Sequence, residues 1–401
     1  MINKILDEPK LKLNDIIKLS IGPVAHGGHF ISRHNGQVIF VRHAITDEIA
    51  IVKITSIGSK IAFGDAIKIL KPSKDRVIAP CKYSSPGLCG GCDFQHISIA
   101  TQLKLKKLVV EEQFKRIADI IINPEILNAG IVSGLHWRTH LDFAISKNGK
   151  VGLYSFKTKE VVEIDKCLIA VEAINQLDIF KDKWDGDKRL SVFASSLKEV
   201  SIHRSDQKIS GPSKINEVVE GNSYTISYGS FWQSHKNAPK ILIKKIIEFA
   251  NLKLGDRVCD LYGGVGLFTA PILKVIGEVG EIHLIESNKR CIQDAKKNFE
   301  NEKNVTIHHG KVEQKLGKIK NIDVIIMDPP RTGATKQVIN QIIEKKARSI
   351  IYISCDPASL ARDTKVLLKN YYLLDEIIGL DIFPMTHHIE CIASFKIKKE
   401  E

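Results

Sequence analysis

The stretch Arg257-Val-Cys-Asp-Leu-Tyr-Gly263-Gly-Val-Gly266-Leu-Phe-Thr269 constrains the fold more than any other part of the chain. A short, largely apolar run meets three glycines within four positions, and residues fit for a helix follow. A second β-prone run, Glu281-Ile-His-Leu-Ile-Glu286, comes next. Strand, glycine turn, helix and strand make a βαβ unit, the building block of a doubly wound parallel sheet.

The same stretch narrows the ligand. Glycines let a backbone approach a bound molecule closely, and an acid ending the second strand can accept both ribose hydroxyls. Gly263 therefore reads as a cofactor contact, and Glu286, 20 residues beyond Gly266, holds the ribose position. A nicotinamide dinucleotide is the competitor, but Thr269 stands where its pyrophosphate pattern needs a third glycine. Asp260 would also repel a pyrophosphate. A zwitterionic cofactor such as S-adenosylmethionine tolerates that carboxylate, which can receive its amino group.

Further strands are expected at Asn304–Gly310 and Asp323–Asp328, the latter ending in Asp328-Pro-Pro-Arg331, where the prolines stop the strand and fix the acid at its rim. Ser349-Ile-Ile-Tyr-Ile-Ser-Cys355-Asp-Pro reads as a buried strand delivering Cys355 to the carboxyl end of the sheet, with a helix from Ala358 to Leu368. Most free cysteines are merely small buried hydrophobes. Asp381-Ile-Phe-Pro-Met-Thr-His387-His388-Ile-Glu390 then gathers two histidines and a carboxylate before a last strand, any of which could act as a base.

The chain's 401 residues suit two or three domains. Its formal charge of +13 favours a polyanionic partner, nucleic acid ahead of a membrane surface. No apolar run is long enough to cross a bilayer, and Met1–Lys10 lacks an apolar signal core, so a cytoplasmic protein is expected. From Asp15 to Leu70 β-prone runs alternate with turns, Asn35-Gly36 being a strong hairpin signal, which suggests a small barrel of four or five strands. Gly22-Pro-Val-Ala-His-Gly-Gly28 and Gly36-Gln-Val-Ile-Phe-Val41 resemble the TRAM domain of RNA-modifying enzymes. Beyond it, Cys81, Cys89 and Cys92, the last two separated by Gly-Gly, can converge on a metal, with Cys167 the best fourth ligand by sequence order and His96 the substitute. The spacing leaves zinc and a [4Fe–4S] cluster both open. Ala100–Asp119 has a rough helical stripe with lysines on its other side, and Trp137–Val162 reads as antiparallel strands.

Taken in order, Cys89-Gly-Gly-Cys92, Phe231-Trp232-Gln233, the glycine turn, Asp328-Pro-Pro-Arg331, Ser354-Cys355-Asp-Pro and Phe383-Pro-Met-Thr-His-His-Ile-Glu390 resemble the RNA uridine C5 methyltransferases, which make 5-methyluridine. The resemblance covers nearly the whole chain. It implies a multidomain α/β protein: residues 1–72 a TRAM-like barrel, 73–220 a cluster-bearing α+β domain, 221–401 a Rossmann-like methyltransferase domain. It implies that Cys355 is the nucleophile and Glu390 the base, that Gln233, Tyr262, Glu286 and Asp328 line the cofactor and uracil pockets, and that Cys81, Cys89, Cys92 and Cys167 hold a [4Fe–4S] cluster. The expected substrates are S-adenosylmethionine and RNA, ribosomal before transfer, with the protein acting as a monomer. A cytosine C5 enzyme and an inactive RNA-binding protein are the rival readings. Phe231 and Trp232 are candidates to hold a flipped nucleotide, or else core residues. The chain departs from the family at Gln233-Ser-His235, where Gln-x-Asn is common, and in the seven residues between Cys81 and Cys89.

Overall fold

The computed structural model describes residues 11–186 and 189–398, so the reading made on Met1–Lys10 lies outside the described residues. The chain divides into two compact units. The first takes the described residues to Val109 with Leu153–Val162 and Pro384–His387; the second takes Val110–Gly152, Glu163–Phe383 and those from His388 onward.

In the first unit six strands, β1 (Ile16–Ser20), β2 (Val24–Ala25), β3 (His29–His34), β4 (Gln37–Arg42), β5 (Ile49–Ile57) and β6 (Ile61–Lys71), form one sheet in the order β1-β5-β6-β4-β3-β2. Asn35 and Gly36 close the β3-β4 hairpin with φ of 47° and 79°, the left-handed pair such a turn requires. Alternation sets the inner face: Ala50, Val52 and Ile54 of β5 are buried with Leu19, Phe30, Ile39 and Val41. The count is one above the expected four or five, because Val24–Ala25 pairs with β3 as a two-residue strand too short to show a period. After the sheet, helix α1 (Ile99–Gln113) continues as a π-helical turn over Phe114–Ala118. Lys106 on it is buried, so the lysine face is not uniformly solvated.

The second unit is organised by an eight-stranded sheet. Its members are β7 (Glu125–Asn128) and, after the antiparallel run β8 (His140–Ile145), β9 (Leu190–Ala194), β10 (Val200–Arg204) and β11 (Gln207–Ser210) and the hairpin β12 (Lys214–Val219) and β13 (Asn222–Ser227), the strands β14 (Arg257–Leu261), β15 (Glu281–Glu286), β16 (Val305–His309), β17 (Val324–Met327), β18 (Ser349–Ser354), β19 (Tyr372–Asp381) and β20 (Glu390–Ile397). The order is β16-β15-β14-β17-β18-β20-β19-β7. Strands β14 to β18 pair in parallel, and β20 runs antiparallel to both β18 and β19. Helices α2 (Ala238–Ala250), α3 (Thr269–Ile276), α4 (Lys289–Asn298), α5 (Lys336–Lys345) and α6 (Pro357–Lys369) supply the crossovers and cover the faces. Two apolar clusters result: one holds Leu261, Met327, Ile350 and Leu360, the other Val258, Ile326, Ile351 and Ile272. Neighbouring residues of one strand feed different clusters, which is why β17 reads as an unbroken apolar run. The order turns at β14, with β15 on one side and β17 on the other, and the carboxyl ends there are where an open α/β sheet binds its ligand.

Candidate active site

The antiparallel register of β18 and β20 pairs Ile353 with Ile392 and Ser354 with Cys391, so the next step sets Cys355 across from Glu390. Residues directly opposite on neighbouring strands lie about 5 Å apart at their Cβ atoms. Asp328 follows β17, the strand on the other side of β18, and receives a hydrogen bond at Oδ2 from Gln233 Nε2 (3.4 Å). Cys355, Glu390 and Asp328 thus meet at one edge from three adjacent strands. Beyond Cys355, Asp356 caps α6 by accepting the Ser359 N–H at 2.7 Å, and Pro357 sits in the first turn.

Burial governs the charges here. Glu390 is 5% exposed, and its Oε1 is buried without a hydrogen-bond partner. Desolvation, then the Asp328 charge, lift its carboxyl well above the ordinary carboxylate range, while Arg331 acts weakly the other way. Asp328 is pushed up to about 7 by burial and by Asp260. The Cys355 thiol is pushed up to about 12, first by burial and then by Glu390. Desolvation outweighs the Arg331 charge, which acts to lower it.

Beside these groups lies a cleft of about 300 Å³, lined by Phe231, Gln233, Tyr262, Gly263, Gly264 and Asp328 among others. Tyr262 enters it with φ of 61°, a backbone state unusual for a bulky residue and typical of functional turns. Gly264 faces open space there, whereas a Cβ on Gly266 (φ +93°) would overlap the Phe299 ring. Gly264 (φ +56°) leaves that face open to a ligand and also needs glycine's backbone freedom; Gly266 serves packing. Glu286 Oε2 accepts the Gly264 N–H at 3.1 Å and Oε1 the Asn288 N–H at 2.6 Å, which fixes its carboxylate at the end of β15. Asp260 accepts from Thr269 Oγ1 at 2.7 Å, keeps Oδ1 buried and unpartnered, and is pushed up to about 7 by burial. An ammonium group would satisfy that oxygen. The donor set fits S-adenosylmethionine: acid for amine, acid for ribose, open backbone between.

The aromatic pair divides. Phe231 is 61% exposed, while Trp232 is 6% exposed and packs on Tyr224 at 5.3 Å. Phe231 alone is free to meet a base. His235 is core: it stacks on Trp137, accepts the Asn237 N–H at Nδ1 (3.0 Å) and is held near pKa 4 by burial. Arg138 spends its Nε on the His140 carbonyl at 2.9 Å. In the first unit His387 Nδ1 is bound to Asp93 Oδ2 at 2.6 Å. Arg331 was not singled out as a site residue, although its signal, the last residue of Asp-Pro-Pro-Arg, was in plain view.

The metal expectation is not met. Among the described residues no three or more His, Cys, Asp or Glu side chains gather to hold a metal ion, and Cys81, Cys89, Cys92 and Cys167 form no such group. Local bonds define the loop instead: Cys81 N–H donates to Gln95 Oε1 (3.1 Å), Cys89 N–H to the Tyr83 carbonyl (3.1 Å), and Cys89 Sγ accepts the Gly91 N–H (3.4 Å). No helix of the described residues is long and apolar enough to cross a membrane.

Comparison with known proteins agrees with the geometry. The tRNA (uracil-5-)-methyltransferase family matches residues 214–398. An uncharacterised RNA methyltransferase of Streptomyces avermitilis is 37% identical, the match covering 94% of this chain and 97% of that one. One from Aquifex aeolicus is 30% identical over 95% of this chain and 99% of its own length. The crystal structure of Pyrococcus abyssi tRNA (uracil-54, C5)-methyltransferase, in complex with S-adenosyl-L-homocysteine, superposes with a TM-score of 0.71 at 22% identity, covering 94% of this chain and all of that one. With relatives this similar over almost its full length, the chain belongs to the S-adenosylmethionine-dependent RNA (uracil-5-)-methyltransferases.

Proposed function

We propose that the protein makes 5-methyluridine in RNA through a covalent adduct between Cys355 and uracil C6. The observation that carries this is the convergence of Cys355, Glu390 and Asp328 at adjoining strand ends beside the glycine-turn cleft. Uracil C5 is too weak a nucleophile to take a methyl group unaided. Cys355 Sγ, once it has lost its proton, adds to C6 and makes C5 an enolate carbon. Bound S-adenosylmethionine supplies the electrophilic methyl. Glu390 then removes the C5 proton, and the C6–S bond breaks to return the thiolate. Asp328, held by Gln233, presents its carboxyl to the polar edge of the uracil. Its protonated form suits a carbonyl oxygen, and its ionised form suits an N–H.

The thiol and Glu390 must both ionise within the cycle. Arg331 favours the charged form of each, and the sulfonium charge of the bound cofactor does the same. Phe231, exposed at the cleft, would stack against, or stand in for, the base that leaves its helix. Glu286 would hold the ribose, Asp260 the amino group, and Tyr262 and Gly263 the remaining cofactor surface.

The finer parts of the reading rest on the sequence. Residues 1–72 are proposed as an RNA-binding TRAM-like module, 73–220 as the central domain and 221–401 as the catalytic domain, in a cytoplasmic monomer acting on ribosomal RNA. A [4Fe–4S] cluster on Cys81, Cys89, Cys92 and Cys167 rests on their pattern alone and has no step in this chemistry. The test is methyl transfer from labelled S-adenosylmethionine into ribosomal and transfer RNA fractions that lack 5-methyluridine, followed by nucleoside analysis. Label in 5-methyluridine from the ribosomal fraction supports the reading. Label in 5-methylcytidine supports the cytosine enzyme, and no label with intact cofactor binding supports an inactive RNA-binding protein.

A further inference from the structure

A second pocket in the same unit lies beside the cleft just described, walled by Ser191, Phe193, Ser201, His203, Tyr228 and Ser230 among others. His203 is 5% exposed. Ser201 Oγ donates its one hydrogen to the Pro212 carbonyl at 2.8 Å, so toward His203 Nε2, 2.9 Å away, it can only accept. His203 therefore carries its hydrogen on Nε2 and leaves Nδ1 a bare acceptor. That Nδ1 is buried and has no hydrogen-bond partner, which is costly to leave unmet. The ring lies flat on Tyr228 with centroids 4.0 Å apart and planes 5° apart, and the Arg290 guanidinium sits 5.6 Å from the Tyr228 ring centre.

The chain itself links this pocket to the active site. Residues 226–230 line it, and Phe231, Trp232 and Gln233 line the cofactor cleft. Three residues span at most about 11 Å, which is the reach of one or two nucleotides in an extended strand. The connecting loop is pinned, since Ser227 Oγ and Ser230 Oγ both donate to the buried Asp294 carboxylate at 2.6 Å. Single-stranded RNA is read by stacking on aromatic rings and by hydrogen bonds to base edges; this pocket offers both. We propose that it is a specificity subsite for a base one or two nucleotides from the target uridine, taking a base with an N–H donor on its polar edge that binds His203 Nδ1.

The inference rests on the uridine reading, and its test separates the two. Hairpin oligoribonucleotides spanning the mapped uridine carry an abasic residue at each of the two positions on either side in turn. With the full chain and labelled S-adenosylmethionine, one abasic position should raise KM about tenfold or more while kcat changes little. His203→Phe keeps an aromatic ring but removes the acceptor, together with the Nε2–H that binds Ser201. It should show the raised KM on the intact hairpin and lose the abasic effect, with unchanged cofactor binding. His203→Asn, which puts an oxygen near the Nδ1 position, should recover part of the discrimination. The subsite is overturned if the wild type methylates all four abasic hairpins with the KM of the intact one, or if His203→Phe keeps the full abasic penalty. If the wild type methylates no hairpin at all, the uridine reading itself fails and takes the subsite with it.

Discussion

Glu390→Gln isolates the second half of the reaction from the first. The substitution keeps the shape of a side chain that is almost wholly buried and removes only its ability to take a proton. Cys355 on the facing strand remains to add to C6, and C5 can still be methylated; the C5 proton then has no acceptor. Loss of a positioned base lowers rates about 10²- to 10⁴-fold, roughly 3 to 5 kcal/mol of barrier. The variant should therefore turn over slowly while a protein–RNA adduct accumulates, visible as a shifted band when 5′-labelled RNA and protein are run on a denaturing gel. Wild type should show a faint band, and Cys355→Ala none. Stability gives an independent readout. Glu390 has a folded-state pKa above its ordinary 4.5, so the native state holds a proton that the unfolded chain releases. Its stabilising contribution is complete below that value and is lost as pH rises through the raised one. Gln does not titrate, so the melting temperature of the variant should gain on the wild type as pH increases from 5 to 8. A variant that turns over within a few-fold of wild type, with no adduct, would refute the assignment of Glu390.

Three further outcomes follow from particular residues. With its pKa near 12, Cys355 is ionised to about one part in 30,000 at pH 7.5, against about one in ten for an ordinary cysteine. After allowing for the greater nucleophilicity of the rarer thiolate, iodoacetamide should modify it about fifty- to a hundredfold more slowly than a free thiol, as followed by peptide mass mapping. Gly266→Ala meets both a φ of +93° and the Phe299 ring, and should cost about 2 to 3 kcal/mol in denaturant unfolding; Gly264→Ala, facing open space, should weaken S-adenosylmethionine binding more than it lowers stability. Protein purified without oxygen should contain about four iron and four sulfide per chain if the cysteine pattern marks a cubane cluster, and iron and sulfide analysis finding neither would end that proposal.

Local signals carried most of what proved readable. The βαβ unit was legible because glycine spacing and strand periodicity are short-range, and Asn35-Gly36 because only certain residues accept its backbone angles. Cys355 and Glu390 were readable as strand-end residues, yet what sets them opposite each other is the antiparallel register of β18 and β20, fixed by the pairing of distant segments. Exposure was illegible for the same reason. Phe231 and Trp232 are adjacent aromatics that sequence cannot rank, and packing on Tyr224 buries only the second. The direction of the Cys355 shift was illegible because desolvation depends on every surrounding atom, whereas a nearby arginine or a helix start can be seen in the chain. The four cysteines show the limit of spacing, since their pattern permits convergence that the structure does not display as a metal-ion site.

The account turns on a bond between Cys355 and uracil C6, and RNA carrying 5-fluorouridine tests it directly. Fluorine at C5 leaves no proton for Glu390 to remove, so the reaction should stop with the thiolate joined to C6 and the methyl on C5. Incubation with S-adenosylmethionine, nuclease digestion and peptide mass analysis should find one methylated fluorouridine nucleotide on the peptide bearing Cys355, and none in Cys355→Ala. An adduct on another residue, or methylation of natural RNA by Cys355→Ala at the wild-type rate, would contradict the account.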